Sequence, residues 1–364
     1  MSSLRIENLT KHFGSNVALK NVSLSINDRE FMVLLGPTGA GKTTALRCMA
    51  GLEKPDEGEV FLDDDPVKGK TPAARDLAFV FQNYALYPRK TVYQNIAFPL
   101  QARQMSRAEI DDAIKRIAAM LHIGHLLDRK PTQLSGGEQQ RVALGRAMVR
   151  RPHAFLMDEP LTNLDFKLRT EMRSELKRIQ RELNETFFYV TNDQVEAMSM
   201  GDKIAVLDHG VIQQIGAPQE VYEHPANLFV AGFIGNPRMN LLKCSFDRET
   251  ATLIDADGAW RLPLPQRMRA AMEGVSNTDS LLFGVRAEDV ALSESADGGD
   301  SIPGDVYVTE PLGDRTIYDL KVGQGIFKAK TPPTYRFAPG KRLNLSFNLD
   351  RVHVFDAKTQ QIIF

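Results

Sequence analysis

The stretch Phe31–Ala50, FMVLLGPTGAGKTTALRCMA, decides the fold. It opens with an apolar run of strand length, and a helical pattern begins near Lys42. Between them, residues 36–43 (GPTGAGKT) match the phosphate-loop pattern G-x-x-x-x-G-K-[ST] in full. A buried strand, a glycine-rich loop and a helix in this order predict an α/β fold on a largely parallel sheet, with a phosphate site at the end of the strand.

The loop supplies two kinds of group for a phosphate. Its glycines let backbone N–H groups converge on phosphate oxygens, and the following helix adds the positive end of its dipole. Lys42 is expected to reach the β- and γ-phosphates of a nucleotide, and Thr43 to offer its hydroxyl to Mg²⁺. A glycine-rich turn that binds nothing is the alternative. The loop residues expected to contact the nucleotide are Gly36, Pro37, Thr38, Gly39, Ala40, Gly41, Lys42, Thr43 and Thr44.

A second apolar run, residues 154–160 (AFLMDEP), ends in two adjacent carboxylates. Asp158 is placed to hold the Mg²⁺ shell through water, whereas Glu159 can orient and deprotonate the attacking water. Alone, such a pair is often a solvated strand end or a helix cap. Together with the phosphate loop, it predicts hydrolysis of a nucleoside triphosphate.

The composition excludes several classes of protein. The 364 residues carry a formal net charge of −1, which argues against a broad nucleic-acid surface. Only Cys48 and Cys244 are present, too few and too far apart for a metal cluster or a disulfide framework. The chain shows no apolar signal core at its start and no apolar stretch long enough to span a bilayer. We therefore expect a cytoplasmic protein of two or three domains whose partners supply any membrane crossing.

Helical patterns alternate with apolar runs over the first two thirds of the chain. A helix-rich insertion is expected between Gln82 and Arg151, where Ser106 and Glu109 form a capping-box pattern. An amphipathic helix is expected over residues 168–183. These elements fit a layer of helices on an α/β core.

Strand-like alternation replaces this pattern in the tail. Leu343, Leu345 and Phe347 fall on one face of a predicted strand, and their polar neighbours fall on the other. Residues 296–300 (ADGGD) and Pro332–Pro333 indicate turns. The tail is predicted to be a small β barrel or sandwich.

Residues 134–138 (LSGGE), followed by QQRVALGRA, resemble the signature of ABC ATPases. Ser135, Gly136 and Gly137 open a helix with unblocked N–H groups, which makes a second anion site. In that family the signature closes over the γ-phosphate bound to the opposite subunit. The resemblance therefore implies a head-to-tail dimer with two ATP molecules between the chains.

Other family motifs occur in the family's order. Phe13, in KHFG, resembles the aromatic residue that stacks on adenine. Gln82, in VFQNYALYP, resembles the glutamine that senses Mg²⁺ and the attacking water. Asp165, in TNLD, resembles the residue that helps to connect the two sites across the dimer, and a helix cap is its alternative role.

The switch segment, residues 189–198 (YVTNDQVEAM), departs from the family pattern. The family normally has histidine where this chain has Asn192. An asparagine amide can donate a hydrogen bond towards a γ-phosphate, but it has a shorter reach than imidazole and cannot become positively charged. Asn192 is therefore predicted to take the catalytic role of that histidine and to slow hydrolysis.

The tail extends the resemblance to importers of the maltose type. The segments that carry it are HPANLFVAGFIGNPRMNLL (224–242), FGVRAEDV (283–290), EPLGDRTIYDL (310–320) and LDRVHVFD (349–356). It implies a nucleotide-binding domain over residues 1–235, with a helical subdomain at about 83–152, and a β-rich OB-like regulatory domain over 236–364.

Function and partners follow from the same resemblance. It implies ATP and Mg²⁺ as cofactors, a second ABC ATPase in a homodimer or heterodimer, two membrane-spanning permeases and, indirectly, an extracytoplasmic solute-binding protein. Such a subunit lies at the cytoplasmic face of the cell (inner) membrane and binds no nucleic acid. Sugars, polyols and glycerol phosphates are the favoured solutes, although spermidine, iron and sulfate importers share this plan.

Two other functions stay open at the level of sequence. Because of Asn192, the chain can be a regulatory ATP-binding subunit that hydrolyses weakly beside an active partner. The second alternative is an ABC ATPase of DNA repair or translation. The charge of −1 and the single phosphate loop weigh against that second role.

Replacing Asn192 with histidine tests the switch hypothesis. Asn192→His should raise the steady-state ATP turnover of the assembled complex, because imidazole reaches further and can carry a positive charge. Phosphate release measures the effect. An unchanged or lower rate would contradict the idea that Asn192 limits this site.

Overall fold

The computed structural model describes residues 3–150, 152–275, 278–295 and 301–364. The chain divides into two compact units, Met1–Pro218 and Gln219–Phe364. This division precedes residue 235, where the sequence predicts the domain boundary. The turn predicted at 296–300, and Arg151 at the end of the predicted insertion, lie outside the described residues. None of the helices in the described ranges has the length and apolar character needed to cross a membrane.

The first unit alternates strands and helices. In chain order it contains β1 (Leu4–Phe13), β2 (Asn16–Ile26), β3 (Phe31–Leu35), α1 (Lys42–Ala50), β4 (Glu57–Leu62), β5 (Asp65–Pro66), α2 (Pro72–Arg75), β6 (Leu77–Val80), α3 (Val92–Ala102), α4 (Arg107–Met120), α5 (Gly136–Met148), β7 (Ala154–Asp158), α6 (Phe166–Leu183), β8 (Thr186–Thr191), α7 (Gln194–Met200), β9 (Lys203–Asp208) and β10 (Val211–Gly216). The predicted capping box is confirmed, since Ser106 caps α4 and its backbone N–H donates to Glu109 at 2.9 Å. The helix predicted over residues 168–183 is α6.

A six-stranded sheet carries the buried apolar runs. Its order is β10-β9-β3-β8-β7-β6, and every neighbouring pair except β10 with β9 is parallel. All residues of β3, β7 and β8 are buried, which explains why these strands show no polar alternation. Because the three strands are parallel neighbours, the loops that follow their carboxyl ends meet at one edge of the sheet. A separate antiparallel sheet has the order β2-β1-β4-β5.

The second unit is mainly antiparallel β structure, as predicted. Beginning within α8, it contains α8 (Pro218–Glu223), α9 (Leu228–Phe233), β11 (Asn240–Asp247), β12 (Thr252–Asp255), β13 (Arg261–Pro263), α10 (Gln266–Glu273), β14 (Leu281–Val285), β15 (Val290–Ser293), β16 (Ile302–Pro311), β17 (Thr316–Val322), β18 (Gly325–Thr331), β19 (Arg342–Phe347) and β20 (His353–Asp356). Two five-stranded sheets, β13-β12-β11-β14-β20 and β15-β19-β16-β17-β18, share one apolar core. Leu343 and Leu345 of β19 are fully buried in it, which confirms the predicted alternation.

A buried arginine ties the entry of this unit to its β structure. Arg286 is 3% exposed, and its guanidinium donates to the backbone carbonyls of Tyr222 and Ile234, the latter at 2.7 Å. The same group lies 3.6 Å from the centroid of the Tyr222 ring. Burial lowers the pKa of Arg286, so these contacts offset the cost of burying its charge.

Removal of Arg286 should destabilise the second unit. Arg286→Met leaves the buried carbonyl of Ile234 and the partly buried carbonyl of Tyr222 without this donor, and we expect the free energy of unfolding to fall by about 2–4 kcal/mol. Trp260, the single tryptophan, lies in the core of this unit, so its fluorescence during urea unfolding measures the change. Arg267→Met is the control, because the Arg267–Asp350 ion pair is exposed and should contribute less than about 1 kcal/mol. Equal effects of the two substitutions would contradict this role.

Candidate nucleotide site

The phosphate loop joins β3 to α1 as the sequence predicts, and its glycines are required by close backbone approaches. Gly41 has a φ of 105°, in the left-handed region. A Cβ atom on Gly41 would lie 2.2 Å from the carbonyl oxygen of Ala18, and one on Gly36 would lie 2.2 Å from that of Leu207. Any other residue at these two positions would push the loop away from the neighbouring strands.

Lys42 lies at the base of this loop and is only 4% exposed. Its Nζ donates to the carbonyl of Pro37 at 3.0 Å and lies 3.3 Å from Oε1 of Glu159. The lysine is therefore held between the phosphate loop and the carboxylate that follows β7. A phosphate bound in the loop would compete with Glu159 for the ammonium group.

Thr43 and Asp158, which the sequence predicts to hold Mg²⁺, lie in contact with each other. The Thr43 hydroxyl donates to Oδ1 of Asp158 at 2.9 Å. Asp158 is 7% exposed, and its burial raises the pKa of the carboxyl group, while the hydrogen bond from Thr43 opposes that shift. A carboxylate beside a hydroxyl offers the oxygen donors that Mg²⁺ prefers. The positive charge of nearby Lys42 favours the ionised form of the Asp158 carboxyl group.

Glu159 occupies a constrained position between two other loops. Its φ is 45°, and its backbone N–H donates to the carbonyl of Val190 at 3.0 Å. Its Oε2 accepts from the amide of Gln82 at 3.5 Å and from the hydroxyl of Thr162 at 3.4 Å. The structure thus brings the predicted base and the predicted sensing glutamine into contact.

A cavity of about 470 Å³ opens over these groups. Ten of the predicted site residues line it: Phe13, Thr38, Gly39, Gly41, Lys42, Thr43, Thr44, Gln82, Glu159 and Asn192. Its lining also includes Asn16, Ala18 and Thr162, which sequence reasoning did not assign to the site. Phe13 is 48% exposed, so its ring face is available to a flat ligand. Asn16 and Ala18 lie on β2, which pairs with the strand of Phe13. Their closeness to Phe13 in the sequence is the signal that could have found them.

The signature residues and Asp165 form a second group. Among the described residues, the lining of this cavity includes neither Ser135, Gly136 and Gly137 nor Asp165. Ser135 caps α5 in a capping box with Glu138, and this hydrogen bonding lowers the pKa of the Glu138 carboxyl. A Cβ on Gly137 would lie 2.7 Å from the Leu168 side chain, so the glycine allows α5 to pack closely on α6.

Asp165 has the structural role that the sequence left as an alternative. Its carboxylate caps α6 by accepting from the backbone N–H of Leu168 at 2.9 Å. Its predicted part in connecting two sites stays a prediction, because it concerns a second subunit.

A buried carboxylate holds the segment that carries Asn192. Glu196, 2% exposed, accepts hydrogen bonds from the hydroxyls of Tyr189 at 2.8 Å and Thr191 at 2.7 Å. Burial raises the pKa of Glu196, and the two hydroxyls oppose that shift. The end of β8 and the start of α7 are thereby fixed to each other on both sides of Asn192.

Comparison with known proteins identifies the family. A family model described as ABC transporter matches residues 19–162, and one described as TOBE domain matches residues 283–355. The trehalose/maltose import ATP-binding protein MalK of Thermococcus litoralis is 46% identical over 377 residues, which cover 100% of both chains. The chain belongs to the ABC transporter family. It is an ABC-type ATPase with a P-loop α/β unit and an OB-like β unit, as the sequence predicted.

Two further relatives are similar along almost the whole chain, and a solved structure is similar over part of it. The xylose/arabinose import ATP-binding protein XacK of Haloferax volcanii is 47% identical over 99% of this chain and 94% of its own length. The sulfoquinovosyl glycerol transport ATP-binding protein SmoE of Agrobacterium fabrum is 43% identical over 100% of both chains. Among solved structures, a dimeric post-hydrolysis state of the ATP-binding cassette MJ0796 with ADP and Pi matches 59% of this chain and 98% of its own, with 34% identity and a TM-score of 0.54.

Replacement of Glu159 with glutamine tests the catalytic assignment. Glu159→Gln should lower kcat for ATP hydrolysis at least ~100-fold, because the amide cannot accept a proton from water. Binding of a fluorescent ATP analogue should persist, since the phosphate loop is unchanged. Glu171→Gln, on the exposed face of α6, is the control and should hydrolyse ATP at the parent rate. Near-parent turnover by Glu159→Gln would show that another group acts as the base.

Proposed function

We propose that this chain is the ATP-hydrolysing subunit of an ABC importer and that it couples ATP-driven dimer closure to solute uptake through partner permeases. The observation that carries this proposal is similarity along the full length of both units to import ATP-binding proteins. The relatives named for trehalose and maltose, for xylose and arabinose, and for sn-glycerol-3-phosphate favour a sugar, a polyol or a glycerol phosphate as the solute. They give no support to a purely regulatory subunit.

The geometry supports a division of labour among the site residues. The backbone of the phosphate loop and Lys42 would bind the phosphates, and Phe13 would stack on the base. Asp158, Thr43 and Gln82 would hold Mg²⁺, which when bound neutralises charge on the phosphate oxygens. The Lys42 ammonium lies between the phosphate loop and Glu159, 3.3 Å from the Glu159 carboxylate. Binding of ATP would therefore draw Lys42 away from Glu159 and leave that carboxylate to orient water.

Dimer closure explains why the signature lies outside the cavity. Ser135, Gly136 and Gly137 would complete the site of an opposite subunit, in a homodimer or with a second ABC ATPase. Phe166, next to Asp165, is 81% exposed, the highest value among the described large apolar side chains that are exposed. An exposed aromatic residue beside the predicted interface favours a protein partner at this surface.

The surface after Gln82 is the proposed docking site for a permease. Tyr84 and Ala85 have positive φ angles, and their carbonyls accept from the Arg146 guanidinium at 2.9 and 2.7 Å. Tyr87 and Phe98 are exposed, and their rings contact each other in a tilted arrangement with centroids 4.7 Å apart. A loop anchored by its carbonyls, with aromatic surface beside it, suits a rigid contact with membrane partners. The chain would then act as a peripheral subunit at the cytoplasmic face of the cell membrane.

Copurification of the membrane complex tests the importer proposal. The tagged full-length chain should copurify with two permeases, and its ATPase activity should rise when the solute-binding protein and a sugar, polyol or glycerol phosphate are added. The Glu159→Gln complex is the control, since it should assemble without turning over ATP. No stimulation by any such solute would refute the solute class. Failure to associate with any permease, together with salt-sensitive nucleic-acid binding, would favour the repair or translation role instead.

A further inference from the structure

Arg169, in the first turns of α6, contacts two segments that belong to different parts of the site. Its Nη2 donates to the carbonyls of Thr162 at 3.3 Å and Leu164 at 3.1 Å. Its Nη1 lies 3.6 Å from Oδ2 of Asp193. One guanidinium thus spans from the segment 162–165, here called the crossing segment, to the switch segment that begins α7.

Asp193 places the other end of this bridge beside Asn192. Its Oδ1 caps α7 by accepting from the backbone N–H groups of Val195 at 2.7 Å and Glu196 at 3.3 Å. Its own N–H donates to the hydroxyl of Thr191 at 3.0 Å. Both neighbours of Asn192 are held in this way. A displacement of Asn192 therefore has to move Asp193, which is the ion-pair partner of Arg169.

The crossing segment also touches the catalytic groups directly. The Thr162 hydroxyl donates to Glu159 at 3.4 Å, and the Asn163 amide donates to the carbonyl of Gln82 at 3.2 Å. The segment is therefore held by the base, by the glutamine loop and, through Arg169, by the switch segment. Among these contacts, only the one through Arg169 and Asp193 joins two charged side chains.

Stability alone does not account for the Arg169–Asp193 pair. The two side chains are 30% and 26% exposed, and ion pairs with this much solvent contribute little to the free energy of folding. The Nε of Arg169 is buried and has no hydrogen-bond partner within the ranges that the structure describes. A buried donor without a partner costs free energy, so stability does not explain this placement of the guanidinium.

We propose that Arg169 is a positioning residue that links the switch segment to the crossing segment. The state of one nucleotide site thereby sets the position of the crossing segment, which contacts the other nucleotide site. Arg169 acts on the position of these segments and not on the reacting groups, because in the described contacts it touches neither the phosphate loop nor Glu159. This inference rests on the dimer of the proposed function, since the crossing segment would lie at its interface.

The test compares steady-state ATP turnover of the full-length chain and of variants of this pair. Arg169→Met should lower kcat about tenfold and reduce the cooperativity of turnover with ATP, because the two segments no longer move together. Binding of a fluorescent ATP analogue and the Tm should stay close to the parent values. Arg169→Lys keeps the charge but cannot span both segments, so its kcat should lie between those of the parent chain and Arg169→Met.

Asp193→Asn isolates the charged half of the link. Asparagine keeps a side-chain oxygen for the cap of α7 but removes the negative charge. If the pair acts as one unit, the double variant Arg169→Met with Asp193→Asn should turn over no more slowly than Arg169→Met alone. Additive losses would show that the two residues act separately and would overturn the proposal.

Arg173→Met provides the matched control on the same helix. Arg173 donates only to the Thr170 hydroxyl, at 3.1 Å, among the described hydrogen bonds, and its loss should leave turnover unchanged. The inference would be overturned if Arg169→Met turned over ATP at the parent rate, or if Arg173→Met lost as much turnover as Arg169→Met. In either case, cooperative turnover by the parent chain would leave the proposed dimer standing. A parent chain that hydrolyses ATP without cooperativity would also overturn the inference, because the two sites would then show no coupling for Arg169 to transmit.

Discussion

Parallel pairing of β8 with β3 and β7 is the constraint on which the nucleotide site depends. Leu35 pairs with Thr191, and Asp158 pairs with Val190, so the three strands end at one edge of the sheet in register. This register places the phosphate loop, Glu159 and Asn192 around one cavity, and it brings Asp158 within hydrogen-bond distance of Thr43, which lines that cavity. A shift of one residue would turn every side chain at these strand ends to the opposite face and dismantle the site.

The same arrangement gives adjacent carboxylates different environments. Asp158 is the last residue of β7 and faces Thr43 from within the core, where burial favours its neutral form unless a cation is near. Glu159 leaves the strand with a positive φ and meets Lys42, Gln82 and Thr162 instead. Asp158 and Glu159 are neighbours in the chain but have different surroundings because β7 ends between them, which suits the different roles proposed for them.

The sequence predicted most of the site because its signals are local. A phosphate loop, a strand that ends in two carboxylates and a capped signature helix are each encoded within a short segment, and the structure has the loop and the helix where the sequence places them. Asn16 and Ala18 were missed, since their place in the cavity comes from a hairpin that folds back against the loop. Arg169 was missed for the same reason: helical spacing shows an exposed arginine but not the carbonyls and carboxylate that it reaches.

By itself, the sequence determined the α/β and β classes of the two units, the phosphate loop and the identity of the residues that can do the chemistry. Hydrophobic periodicity and glycine spacing report local backbone geometry, which short segments largely decide. Only the tertiary structure decided that Lys42 pairs with Glu159, that Glu196 fixes the switch segment, and that Arg286 ties α8 to the β sheets. Such contacts join residues far apart in the chain or depend on burial, and neither property can be read from a local pattern.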